Sequence, residues 1–134
     1  MITEDYVLFE TAKLLKEKWF DVPCDSYYTY FESSVTLYKG HLPEFSDSNI
    51  NHNKHNDRTS RPSQSLALKW LREVHRIEIH IVLSELNADN SRKYMFDIYS
   101  SDINRDFDSA QKEGFDSYEE AVEAALKYTL ENLI

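Results

Sequence analysis

From Ile77 to Leu83 and again from Tyr94 to Tyr99 the chain keeps a two-residue rhythm that only a β-hairpin satisfies. Ile77, Ile79, Ile81 and Leu83 alternate with Glu78, His80 and Val82; Tyr94, Phe96 and Ile98 alternate with Met95, Asp97 and Tyr99. Successive side chains of a strand point to opposite faces, so this pattern describes two half-buried strands. Asn87-Ala88-Asp89-Asn90 between them is turn chemistry. Hairpins pair antiparallel, so the fold is built on an antiparallel sheet.

A second hairpin is expected earlier. Ser26 to Phe31 and Val35 to Lys39 are rich in tyrosine, threonine and valine, with Glu32-Ser33-Ser34 as the connection and Gly40 as the stop. Three helices surround these strands. The first is expected from Glu4 to Lys18, with Thr3 as N-cap and Ile2 stapling its start; Val7, Leu8, Thr11, Ala12, Leu15 and Trp19 form its buried stripe. Pro23 ends it. The second runs from about Ser63 to His75, capped by Ser60 or Ser63, with Pro62 tolerated at its start. Its apolar face is Leu66, Ala67, Trp70, Leu71 and Val74. The third opens on the capping box Ser117-Tyr118-Glu119-Glu120 after Gly114, and its core stripe is Tyr118, Ala121, Val122, Ala125, Leu126, Leu130 and Leu133. The expected fold is α+β in the order α-β-β-α-β-β-α: one antiparallel four-stranded sheet with helices mainly on one face.

The length of 134 residues fits a single domain, 1–134, interrupted by a long polar loop at about 41–60 that reads as disordered or surface-wrapping. Cys24 is the only cysteine, so no intramolecular disulfide forms, and a lone thiol fits a reducing compartment. The acidic start Met1-Ile2-Thr3-Glu4-Asp5 is unlike a secretory signal, and no apolar run reaches the roughly 20 residues of a membrane span. The expected localisation is cytoplasmic.

The formal net charge of −9, from 24 acids against 15 lysines and arginines, disfavours adhesion to nucleic acid or anionic membranes. The charge is uneven. His52 to Arg76 is locally basic, whereas Ser101 to Ile134 is strongly acidic. Solvated faces account for this distribution without any function.

The string from Ser63 to His75, Ser-Gln-Ser-Leu-Ala-Leu-Lys-Trp-Leu-Arg-Glu-Val-His, resembles a block of one small-protein family. So do Phe20-Asp21-Val22-Pro23-Cys24 and Phe115-Asp116-Ser117-Tyr118-Glu119-Glu120-Ala121. The family consists of short uncharacterised proteins of phage, prophage and gut-bacterial genomes. The resemblance covers nearly the whole chain, is most specific from Lys69 to His75, and implies no activity. It does imply a glycine after the first helix, where this chain has Trp19, and so puts the C-cap geometry there in question.

Candidate chemistry is sparse. With only Gly40 and Gly114 in the chain, a phosphate-cradling glycine loop is excluded. His52 and His55, with Asp57 nearby, have metal-ligand types at chelating spacing, but they sit in a polar loop without cysteines. Cys24 could be a nucleophile only with a base such as His75 or His80 in reach, and a structural thiol is the simpler reading. Asp106 and Asp108 belong to a charge run and read as a solvated face.

Two surfaces remain. Tyr27, Tyr28, Tyr30 and Tyr38 lie on the first hairpin, and on a two-residue period some must point away from the helices, where tyrosines suit protein contacts. Arg58, Arg61, Lys69, Arg72 and Arg76 form a basic stretch that could meet phosphate. The favoured expectation is a non-enzymatic binding or self-associating module, a phage-type accessory protein working through the tyrosine-bearing sheet. It would use no cofactor and have a second copy or another protein as partner. The alternatives are a nucleic-acid binder using the basic stretch and a metal-dependent enzyme using His52, His55 and Asp57.

Overall fold

The computed structural model describes residues 1–31, 34–39, 49–84, 87–102 and 110–134. Its elements are helix α1 (Phe9–Glu17), strands β1 (Ser26–Phe31) and β2 (Ser34–Lys39), a 3-10 turn (His52–Lys54), strand β3 (Arg58–Ser60) and helix α2 (Gln64–His75). Strands β4 (Ile77–Leu83), β5 (Tyr94–Ser100) and β6 (Ala110–Phe115) and helix α3 (Tyr118–Asn132) follow. Two compact units divide the chain, Met1–Ala67 and Leu68–Ile134.

The class is α+β, but the single four-stranded sheet is overturned. Two separate three-stranded antiparallel sheets stand in its place, ordered β2-β1-β3 and β4-β5-β6. Each expected hairpin gains a third strand of its own. The order is therefore α-β-β-β-α-β-β-β-α. The halves are not copies, because the first strand of the first unit is central whereas the first strand of the second lies at an edge.

In the first unit, α1 is shorter than its periodicity suggests. It starts at Phe9 with Leu8 as N-cap and no side-chain cap, so Thr3 does not cap it. Competition for the backbone explains this. Tyr6 bridges antiparallel to Ser63, the Val7 amide donates to the Pro62 carbonyl at 3.1 Å, and the Gln64 amide donates to Asp5 at 2.9 Å. Residues 5–7 thus complete extended pairing and cannot coil. Val7, Thr11, Ala12 and Leu15 are buried as expected, whereas Leu8 and Trp19 are exposed.

The stretch from 49 to 60, expected as loose loop, is organised by its polar side chains. Asn53 donates to the Phe20 carbonyl at 2.8 Å and accepts from the Ser60 amide at 2.8 Å. Lys16 on α1 donates to the carbonyls of His55 and Arg58 at 2.9 and 2.5 Å. Amide and ammonium groups here supplement the backbone pairing of β3 with β1. Residues 41–48 of the expected loop lie outside the described residues.

In the second unit the β4–β5 hairpin falls where expected and β5 runs one residue further, with Ile77 opposite Ser100 and Leu83 opposite Tyr94. Helix α2 turns into β4 without a loop because Arg76 adopts φ +57, and its carbonyl is held by the Ser101 amide at 2.8 Å. Helix α3 covers the sheet and buries Ala121, Val122, Ala125, Leu126, Thr129 and Leu130; Tyr118, expected in this stripe, is half-exposed. Ser117 caps it, accepting from the Glu120 amide at 3.1 Å, while the Glu120 carboxylate reaches back to the Asp116 amide at 3.2 Å. Gly114 is the extra residue of a bulge, since Tyr94 faces Phe115 and Met95 faces Glu113. Its φ of +97 is one that side chains rarely adopt.

Candidate functional site

His52 is buried, only 1% exposed, at the start of the 3-10 turn. Its Nε2 lies 3.0 Å from the Cys24 carbonyl, which can only accept, so Nε2 carries the proton. Nδ1 then accepts from Arg58 at 3.4 Å. The ring lies against Tyr27 at 4.4 Å, and the Arg58 guanidinium covers the other part of Tyr27 at 4.6 Å. Both ring nitrogens are engaged, which leaves His52 no lone pair for a metal. His55 and Asp57 are exposed, and among the described residues no group of three or more His, Cys, Asp or Glu side chains is placed to hold a metal ion.

Cys24 is buried, and its thiol donates to the Val22 carbonyl at 3.4 Å. Burial, and then the Asp25 carboxylate, push the thiol up to about 12. At neutral pH about one molecule in 10⁵ carries a thiolate, too few for a nucleophile.

Tyr27 and Tyr28, adjacent on β1, are both occupied within the first unit. Tyr28 donates its hydroxyl to the Val7 carbonyl at 2.9 Å and meets the edge of Phe9 at 5.3 Å. Two of the four rings expected to form a contact surface therefore hold the turn at His52–Lys54 and the start of α1. The side chains of Tyr30 and Tyr38 lie outside the described residues, as do Gly40, Asp106 and Asp108.

The basic stretch is divided in the same way. Arg58 is committed to Tyr27 and His52. Arg61 lies over Tyr6 at 4.2 Å, with the Tyr28 ring at 5.9 Å. In the second unit Arg72 is 3.9 Å from Glu78, while Lys69 and Arg76 are exposed.

Two further features had no signal in the sequence. The first is an open cleft of about 320 Å³ in the first unit, lined by Glu4, Tyr6, Pro23, Cys24, Asp25, Asn49, Arg61, Pro62, Ser63 and Leu66. Nothing in the spacing of residues 4–6, 23–25 and 61–66 brings them together; the Tyr6–Ser63 bridge does.

The second is the free edge of the second sheet. β4 lies at the end of the strand order, and among the described residues no strand pairs with its outer side. The face opposite α3 carries Glu78, His80 and Val82 beside Tyr99, Asp97 and Met95. His80 and Tyr99 stack at 5.1 Å, and Val82, Leu83 and Tyr99 are each about 44% exposed or slightly less. Among the described residues, no helix is long and apolar enough to cross a membrane.

Comparison of the chain with family models, with curated proteins and with solved structures finds no match.

Proposed function

We propose that this protein is a non-enzymatic, self-associating module that pairs with a second copy through the outer edge of β4. One observation carries this reading: β4 lacks the devices that normally blunt an edge strand. Such strands are kept single by short length, lysine, proline or a bulge. At the opposite edge, β6 has Glu113 and is bulged at Gly114. β4 has seven residues, five of them apolar, one charge and no bulge.

The strand is also self-complementary. Two copies running antiparallel about Ile79 set Glu78 of each opposite His80 of the other, and Ile77 opposite Ile81. Opposed acid and imidazole, and opposed branched chains, are favourable cross-strand pairs. Backbone hydrogen bonds supply the association and the pairs set the register. Tyr27 and Tyr28 of the first hairpin are replaced in this role, because both are spent on their own unit. The resemblance to phage and prophage proteins favours an accessory role and adds no activity to it.

Native mass spectrometry of the wild type and of Val82→Lys tests the reading. A wild-type homodimer and a Val82→Lys monomer with unchanged melting would support it. A wild type that stays monomeric as concentration rises, or a Val82→Lys dimer, would overturn it.

A further inference from the structure

The cleft of the first unit holds one cation and two anions that do not neutralise one another. Arg61 makes no ion pair or side-chain hydrogen bond among the described residues, although Asp25 and Glu4 line the same cleft. Stacking holds the guanidinium instead. The Tyr6 ring lies beneath it at 4.2 Å, and its Nε is enclosed without an acceptor. The backbone is pinned as well: the Arg61 amide donates to the Ser26 carbonyl at 3.0 Å, and the Arg61 carbonyl accepts from the Ser26 hydroxyl at 3.1 Å.

An arginine fixed by an aromatic face, with its fork unspent, is prepared to take a planar oxyanion. Ser63 stands on the same wall and accepts from the Leu66 amide at 3.1 Å, so the positive end of the 12-residue α2 faces the cleft beside Arg61. Asp25 and Glu4 supply the opposite field. Both act on the Tyr6 hydroxyl, which burial first and then Asp25 and Glu4 push upward, while Arg61 acts the other way. All three charges therefore converge around one tyrosine.

An anion alone would meet the arginine but be repelled by two carboxylates. A cation alone would face the reverse conflict. We infer that the cleft binds a small zwitterion of the α-amino-acid type, with its carboxylate on Arg61 and its ammonium toward Asp25 and Glu4. The volume of about 320 Å³ lies at the small end of the roughly 300–1,000 Å³ typical of ligand pockets, enough for one amino acid. Pro23, Pro62 and Leu66 give an aliphatic wall for its side chain.

Amide NMR titration of the full chain with L-alanine and L-leucine provides the test, with acetate and methylammonium as the two half-ligands. The amino acids should shift the amides of Tyr6, Asp25, Arg61 and Ser63 with at least tenfold higher affinity than either half-ligand. Arg61→Gln should abolish the shifts and Asp25→Asn should weaken them about tenfold, one matched charge contact. Arg61→Lys, which keeps the charge but loses the fork, guards against a folding defect; it should stay folded and bind more weakly. Acetate or methylammonium binding as tightly as the amino acids would overturn the inference, and so would the absence of any shift at these amides.

Discussion

His52 Nε2 and the Cys24 carbonyl oxygen are 3.0 Å apart, joining the two residues whose types most suggested chemistry in a purely structural bond. The histidine fixes the backbone of the cysteine, and the cysteine fixes the tautomer of the histidine. His52→Ala should therefore cost about 3 kcal/mol in urea unfolding, from the cavity left by a buried ring and the orphaned carbonyl. Any effect on metal content should be absent. Stoichiometric zinc or nickel in the purified wild type, lost in His52→Ala, would contradict this assignment.

The Cys24 thiol makes a prediction at alkaline pH. Its folded value of about 12 lies above the unfolded value of about 8.5. The neutral thiol's contribution is thus complete below about pH 8.5 and is lost as pH rises toward 12. The slope reaches about 1.4 kcal/mol per pH unit. Other groups titrate in this range, so the comparison is with Cys24→Ala, whose alkaline limb should be shallower. Equal slopes would show that the thiol ionises freely in the fold.

How much of this was legible before folding follows from what each signal depends on. The β4–β5 hairpin and the Ser117 cap were readable because alternation and a capping box are local. β3 was hidden because Thr59 and Ser60 are buried while being polar, and their burial depends on β1 and Asn53. β6 was hidden because Gln111, Lys112, Glu113 and Gly114 resemble a solvated connection. Missing both third strands made two self-sufficient sheets look like halves of one. The start of α1 failed for a related reason, since the pairing of Asp5 and Val7 with residues 62–64 outweighs helical periodicity. The cleft was illegible throughout, as its walls come from three distant segments.

Tyr28 separates a structural tyrosine from an interface tyrosine. Its hydroxyl meets the Val7 carbonyl at 2.9 Å where the chain turns into α1. Tyr28→Phe should cost about 1 kcal/mol, the net worth of one such bond, without changing the oligomeric mass. Tyr28→Ala should cost about 2–3 kcal/mol by also emptying the contact with Phe9. A change in mass without loss of stability would return this tyrosine to an interface role.

Trp19 offers the sharpest test of local backbone physics. Helix α1 ends in a Schellman arrangement, with the Phe20 amide donating to Leu15 at 3.0 Å and the Trp19 amide donating to Lys16 at 3.1 Å. That geometry requires a left-handed residue at position 19, and Trp19 has φ +66. A side chain there costs roughly 1–2 kcal/mol that glycine does not incur. The indole recovers little of it, being 86% exposed, whereas Leu15 and Phe20 close the motif from within. Trp19→Gly should stabilise the fold by about 1 kcal/mol, after the loss to greater unfolded-chain entropy, and raise the melting temperature by about 3–5 °C. Trp19→Ala, which keeps the backbone penalty, should change little. If Trp19→Gly instead destabilises, the indole makes contacts that an exposed ring would not.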